Sequence, residues 1–309
     1  MKLYMAPLKG VTDHIFRNTF ARHFGGFHGA MAPFIATSGA HRIRRKYLKD
    51  VWPENNRELP VIPQILSKSP EAFIRLANDL FDMGHNTVNW NLGCPYPLSA
   101  AKNRGCRLLA DRELVESFLE TVVPALKGNL SIKTRLGWKV PEELFRLLPV
   151  FNRLPIAEVV IHPRIGIQGY TGVTDLTAFE TCRSLSEHPL VFNGDLSTTK
   201  DFEILSRRFP EVNRWMIGRG ALADPFFPGI LASGAGQVHD KQIKLKAFHD
   251  DLLDRYSRTL HGPRHILDRM KGLWRYLAPS VKHHAEVFPA VKTAMTLSEY
   301  RRMVQRLFT

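Results

Sequence analysis

The sequence predicts an α/β fold, a (β/α)8 barrel of the TIM type followed by a small C-terminal all-helical domain. Three features of the 309 residues predict it. Short apolar, β-rich runs alternate with amphipathic helical stretches, polar residues recur just beyond those runs, and strand signals stop after Gly229. Parallel strands need crossover connections, and β/α units repeated over roughly 230 residues close naturally into a barrel. An open doubly wound sheet is the structural alternative.

The expected strands are Leu3–Ala6, Gly29–Ala32, Val61–Ile65, Thr87–Asn91, Leu130–Lys133, Glu158–Ile161, Leu190–Phe192 and Arg214–Ile217, each followed by a helix. Helical patterns cover Asp13–Phe24, Pro70–Phe81, Asp111–Leu126, Pro141–Phe151 and Thr198–Phe209. Thr12-Asp13, Ser69-Pro70 and Ser197-Thr198 supply side-chain acceptors or a helix-compatible proline at helix starts. Ser233-Gly234-Ala235-Gly236 reads as a linker, which places a barrel domain over 1–235 and a helical domain over 236–309. The tail is expected to hold helices at Gln242–Leu260, Arg264–Leu277, Lys282–Val291 and Ser298–Leu307. It is rich in Arg, Lys and His, with Trp274, Tyr276 and Tyr300 interspersed.

Composition narrows the classes of function. Lys and Arg number 43 against 29 Asp and Glu, a net charge of +14, and 44% of residues are hydrophobic. That apolar content excludes global disorder. Three cysteines, Cys94, Cys106 and Cys182, make no disulfide scaffold and no zinc-ligand pattern, so no metal is expected. The opening MKLYMAPLKG lacks a secretory apolar stretch, and proline and charge interrupt every candidate membrane span. A basic, cytoplasmic, monomeric protein is expected. The charge suits a nucleic-acid partner and equally a merely soluble surface.

Chemistry-bearing residues cluster at the strand exits: Pro7, Gln64, Asn91, Lys133, His162, Asn193 and Gly218-Arg219. In a barrel these ends share one mouth. Any one of them is more simply a loop polar residue; the recurrence favours a common pocket. Phe192-Asn193-Gly194-Asp195 and Ile217-Gly218-Arg219-Gly220 end the last two strands, where this fold usually binds phosphate. Lys133 emerging from an apolar strand reads either as half of a structural ion pair or as a cation beside an electron-rich cofactor ring. Cys94 lies on a turn just outside a strand, where it could be nucleophile, general acid or inert lining. No Asp-His pair marks it as a protease-type nucleophile, which makes a proton donor the economical choice. Cys106 and Cys182 read as structural.

Ordered along the chain, these segments resemble the tRNA-dihydrouridine synthase family. The resemblance runs through Ala6-Pro7-Leu8-Lys9-Gly10-Val11-Thr12-Asp13, Phe16-Arg17, Gln64 and Asn91-Leu92-Gly93-Cys94-Pro95. It continues through Lys133-Thr134-Arg135-Leu136-Gly137-Trp138, Val160-Ile161-His162-Pro163-Arg164, Asn193-Gly194-Asp195 and Met216-Ile217-Gly218-Arg219-Gly220-Ala221. It implies an FMN-binding barrel joined to a helical tRNA-binding domain, with NADPH as reductant. Hydride from reduced FMN would go to C6 of a uracil and a proton from Cys94 to C5. Carried over, Pro7, Leu8, Lys9, Gln64, Lys133, His162, Asn193, Gly194, Asp195, Gly218 and Arg219 would contact FMN. Asn91 and Arg135 would border the flipped uracil and the RNA strand. Arg269-Met270-Lys271 and Trp274-Arg275-Tyr276-Leu277 resemble the bacterial subfamily that modifies position 16, and place Arg269 and Lys271 on the RNA.

The chain departs from the family in places. Leu8 stands where Met is usual, His162-Pro163-Arg164-Ile165 replaces His-Gly-Arg-Thr, and Lys102-Asn103-Arg104 and Cys106 occupy positions usually held by Gly and Ala. Two rival functions are a flavin barrel enzyme acting on a free pyrimidine and a non-catalytic RNA-binding relative. The basic tail disfavours the first, and intact Cys94, Lys133 and Gln64 disfavour the second.

Overall fold

The computed structural model of the chain describes residues 1–37, 43, 45–234, 238–281 and 284–308. Its strand segments are β1 (Lys2–Met5), β2 (Gly29–Met31), β3 (Ile35–Ala36), β4 (Val61–Ile62), β5 (Gln64–Leu66), β6 (Thr87–Leu92), β7 (Asn129–Gly137), β8 (Ile156–Ile165), β9 (Leu190–Phe192) and β10 (Arg214–Ile217). All pair in parallel, in the order β3-β5-β6-β7-β8-β9-β10-β1-β2-β4. Because β2 pairs with β4 and β3 with β5, residues 29–36 run alongside 61–66 and the sheet closes on itself. Every expected strand is present, one of them split, and the short β3 is an addition that no expected run covers. Pro63, which lacks an amide hydrogen, separates β4 from β5.

Helices α1 (His14–His23), α2 (Pro70–Asp82), α3 (Pro97–Ala100), α4 (Arg112–Val122), α5 (Glu142–Asn152), α6 (Leu176–Leu185) and α7 (Thr199–Arg208) lie between strands, and α8 (Arg219–Ala223) and α9 (Phe227–Ser233) follow the last one. The expected caps work. Asp13 accepts the Phe16 amide at 2.9 Å, Ser69 accepts that of Ala72 at 3.2 Å, and Thr198 with Asp201 forms a capping box. Two expectations need correcting. The helix predicted to Leu126 stops at Val122, where Pro124 breaks the ladder and a 3-10 turn takes over. The second strand is followed not by an α-helix but by 3-10 turns at Arg45–Val51 and Pro53–Asn55.

Side-chain alternation sorts the barrel residues into two layers. Leu3, Met5, Val88, Trp90, Leu130, Ile132, Val159, Ile161, Phe192 and Trp215 join the main core with the surrounding helices. The opposite parity forms a small separate cluster of Ala6, Met31, Val160, Val191 and Met216 inside the ring. Gln64, Asn89, Asn91, Ser131, Lys133, Arg135, His162 and Arg164 share that inner parity, so the sheet's own periodicity delivers them to one interior.

The tail forms α10 (Lys241–Thr259), α11 (Pro263–Leu277), α12 (His284–Thr293) and α13 (Leu297–Leu307). The linker residues Ala235 and Gly236, and with them the domain boundary, lie outside the described residues, as does Lys282, the expected start of the third tail helix. The tail is bonded to the barrel. Phe248 of α10 meets Phe16, Phe20 and Phe24 of the α1 region at ring distances of 5.9, 6.3 and 4.9 Å. The Tyr256 hydroxyl donates to Asp13 at 3.0 Å, and Ser280 donates to the Ala223 carbonyl at 2.6 Å.

Candidate active site at the carboxyl ends of the strands

Strand register sets the site before any side chain is considered. Gln64 lies beside Asn89, Asn91 beside Lys133, and Arg135 beside His162. The Asn91 amide donates to the Gln64 side-chain oxygen at 2.7 Å, and the Gln64 and Asn89 amides meet at 2.8 Å. Asn89 also contacts Ser131 at 2.9 Å, so a polar chain crosses three strands beneath the mouth. Its groups are buried and hydrogen-bonded, the state that makes polar burial tolerable.

Asn91 also shapes the turn that carries Cys94. Its side-chain oxygen accepts the amides of Gly93 at 3.0 Å and Cys94 at 2.9 Å. The Cys94 carbonyl in turn accepts the Cys106 amide at 3.2 Å and its thiol at 3.1 Å. Cys94 is half-buried and free, as a group facing a mouth must be. Cys106 and Cys182 are buried, and burial pushes each thiol up to about 12, which suits the structural role expected of both.

Lys133 is half-buried beside Cys94 and has no carboxylate partner among the described residues, so the ion-pair reading of it fails. Burial, then the Arg135 charge, pushes its ammonium down to about 7. His162 is 9% exposed and accepts from Arg164 at 3.0 Å through Nε2. A guanidinium can only donate, so Nε2 is the acceptor and the imidazole is neutral with its proton on Nδ1. Its pKa is accordingly held well below the usual value, by burial and then by Arg135, Lys133, Arg164 and Arg219.

Four cations thus surround one neutral histidine, and Asp195 is the carboxylate that two of them, Arg164 and Arg219, share. Arg164 donates to it at 3.0 Å through Nη1 and again through Nη2, and Arg219 reaches it at 3.3 Å. Asp195 therefore orients arginines. Asn193 donates to the Met216 carbonyl at 2.9 Å, tying the last two strands together. At Gly194 a side chain would meet the Phe192 ring at 2.8 Å, so glycine is required by packing. Gly218 lies against Ala6 and Leu8 and leads into the short α8. Across the mouth, Pro7 and Leu8 are half-buried, while exposed Lys9 stands 5.2 Å over the Phe34 ring.

Each residue expected to contact RNA also has a partner within the chain. Arg135 is 1% exposed and donates to the carbonyls of Gly93, Ile165 and Gly169, clamping the Cys94 turn to the loop after β8. Asn91, with its amide spent on Gln64 and the turn, is 7% exposed. Arg269 donates to the Gly10 carbonyl at 2.6 Å, and Lys271 donates to that of Ala294. Asn91 and Arg135 are thus buried, whereas Arg269 and Lys271 remain half-buried. Sequence reasoning did not select Arg164, Asn89, Ser131 or Tyr170. The exposed Tyr170 ring lies within cation–π distance of both Arg135, at 5.0 Å, and Arg219, at 5.3 Å. The signal for Arg164 was available, since on a strand i+2 from His162 faces the same side.

The arrangement can hold an anion-bearing planar group: surplus cations, neutral amides, and the buried Arg135 Nη2 without a hydrogen-bond partner. Among the described residues no group of His, Cys, Asp and Glu is placed to hold a metal ion, and no helix is long and apolar enough to cross a membrane.

Comparison with known proteins gives this geometry a context. The family model described as dihydrouridine synthase matches residues 4–307. The tRNA-dihydrouridine(16) synthase of Cupriavidus necator is 24% identical over 99% of this chain and 97% of its own length. That of Haemophilus influenzae is 24% identical over 97% and 98%. Among solved structures, the old yellow enzyme homologue from Zymomonas mobilis superposes with a TM-score of 0.55 at 13% identity, covering 77% of this chain and 90% of that one. It shares the fold.

Proposed function

The chain belongs to the dihydrouridine synthase family, and from that premise we propose that it is a flavin-dependent oxidoreductase reducing the C5=C6 bond of a uridine in tRNA to 5,6-dihydrouridine. We take FMN as the flavin, NADPH as the reductant, and position 16 as the target, the position in the names of the Cupriavidus necator and Haemophilus influenzae relatives, each aligned over nearly the whole chain. Residues 1–235 would form the catalytic domain and 236–309 the tRNA-binding one, in a cytoplasmic monomer.

The observation that carries the reading is a free, half-buried Cys94 fixed beside Lys133, a cation with no carboxylate partner among the described residues. Lys133, Gln64 and His162 would hold the ring edge, with Arg164 and Arg219 toward the phosphate and Pro7, Leu8 and Lys9 closing the opposite side. Reduced flavin, when bound, supplies hydride to C6. Charge then develops at C5, and a neutral Cys94 thiol delivers the proton there. Asn91 and Arg135 hold the Cys94 turn against the strand ends and so keep that proton in place. The base must leave its stack at a cost of a few kcal/mol, which basic contacts to the RNA backbone offset.

Dihydrouridine mapping in RNA from cells with and without the gene tests activity, RNA class and position together; loss at position 16 of tRNA is expected. Turnover of free uracil or orotate with none on tRNA would replace this reading with the small-molecule rival. A colourless protein that takes up no added FMN would replace it with the non-catalytic one.

A further inference from the structure

The Cys94 main chain is held from both sides, and only its thiol is left to orient. The amide is on Asn91, and the carbonyl takes two donors from Cys106. Gly105 lets the two segments touch: a side chain there would lie 2.6 Å from the Cys94 carbonyl oxygen, and its φ of +65° favours glycine. The thiol itself meets one hydroxyl. Cys94 Sγ lies 3.6 Å from Ser99 Oγ, on α3, and Ser99 is only 8% exposed. A serine inside a helix can turn its hydroxyl to the carbonyl four residues earlier, but here that residue is Pro95, outside α3. Ser99 instead faces the sulfur.

We propose that Ser99 is a positioning residue that orients the Cys94 thiol toward the reacting base and then stabilises the sulfur once its proton has gone. In the resting protein the thiol donates to the serine oxygen. As the S–H bond breaks and the C5–H bond forms, sulfur becomes a thiolate, and Ser99 rotates its O–H to donate to it. That hydrogen bond is charge-assisted and stronger than the one it replaces. A solvent proton then restores the thiol, and the hydroxyl returns to accepting. The inference rests on Cys94 as the proton donor.

Ser99→Ala, Ser99→Thr, Cys94→Ala and the Cys94→Ala/Ser99→Ala double variant, each as the flavin-loaded full chain, test it on tRNA. Ser99→Ala should lower kcat about five- to tenfold, the worth of one hydrogen bond, with KM for tRNA and flavin content unchanged. The alkaline limb of its kcat profile should move to higher pH, because the thiolate has lost a donor. Ser99→Thr should restore both, and the double variant should be no slower than Cys94→Ala. A wild-type kcat and pH limb in Ser99→Ala, with Cys94→Ala inactive, overturns the role of Ser99 alone. Altered KM or flavin content that Ser99→Thr does not rescue also overturns it, as a packing effect. Full activity in Cys94→Ala overturns the proton-donor reading and this inference with it.

Discussion

The two ends of the barrel solve the same electrostatic problem in opposite ways. At the amino end of the strands one cation meets one carboxylate: Arg214 donates to buried Glu158 at 2.8 Å. The Tyr4 phenol beside them is pushed up by burial and then by Glu158. Apolar Ala6, Met31, Val160, Val191 and Met216 fill the ring's interior. At the carboxyl end Lys133, Arg135, Arg164 and Arg219 crowd His162, with Asp195 bridging two of them. The foot is neutralised from within, whereas the mouth carries positive charge that the chain leaves uncancelled. Uncompensated charge is costly to bury, so its concentration at one end marks where an anionic occupant belongs.

Substitutions at each end can break or sharpen that contrast. The largest effect is expected at Cys94: Cys94→Ala should cut dihydrouridine formation by about 10²–10⁴-fold while flavin absorbance and tRNA affinity persist, read by single-turnover assay and titration. Arg164→Ala removes a 2%-exposed guanidinium that holds Asp195, His162 and the carbonyls of Thr171 and Gly172. It should cost about 3 kcal/mol in urea unfolding and weaken flavin retention; a stability loss without a flavin effect would detach that pair from the cofactor. At the foot, Glu158→Gln should cost about 1–2 kcal/mol, because the partly exposed Arg214 can turn to water, and leave turnover untouched. Reduced turnover there would erase the distinction between the ends.

Lys133→Met should have the smallest effect on stability and the opposite sign, stabilising the flavin-free protein by about 1 kcal/mol at pH 7, with turnover lowered less than in Cys94→Ala. An unfolded chain keeps a lysine proton to about pH 10.4, whereas folded Lys133 releases its proton near 7. Between those values the unfolded state binds more protons, and the wild type gains stability as pH rises. The gap between variant and wild type should therefore close and then reverse between pH 7 and 10 in paired melts. A constant gap would show that Lys133 stays charged.

Much of the mouth was legible because strands write their faces into alternate residues. Gln64, Lys133 and His162 stood out as polar groups ending apolar runs, and the inner parity of the sheet brings them together. Arg164 and Asn89 obey the same parity but sit beside residues that drew attention first. Tyr170 becomes visible only once Arg135 folds the loop after β8 down onto its own carbonyls, a tertiary event that no local pattern encodes. The tail shows the limit of composition. Its helices follow from periodicity, but the carbonyls that Arg269 and Lys271 also reach, on Gly10 and Ala294, are not visible in sequence, because docking of one segment on another is not a local property.

That docking has a practical consequence for anyone dividing the protein. Phe16 and Phe20, at 1% and 0% exposure, rest partly on Phe248, and Phe24 packs against the same ring. Severing the chain before α10 would bare a contiguous aromatic surface of a few hundred Å², the size at which soluble monomers begin to self-associate. The barrel is thus a poor candidate for expression alone. The order of its chain reads as two modules, but its phenylalanines make it one body.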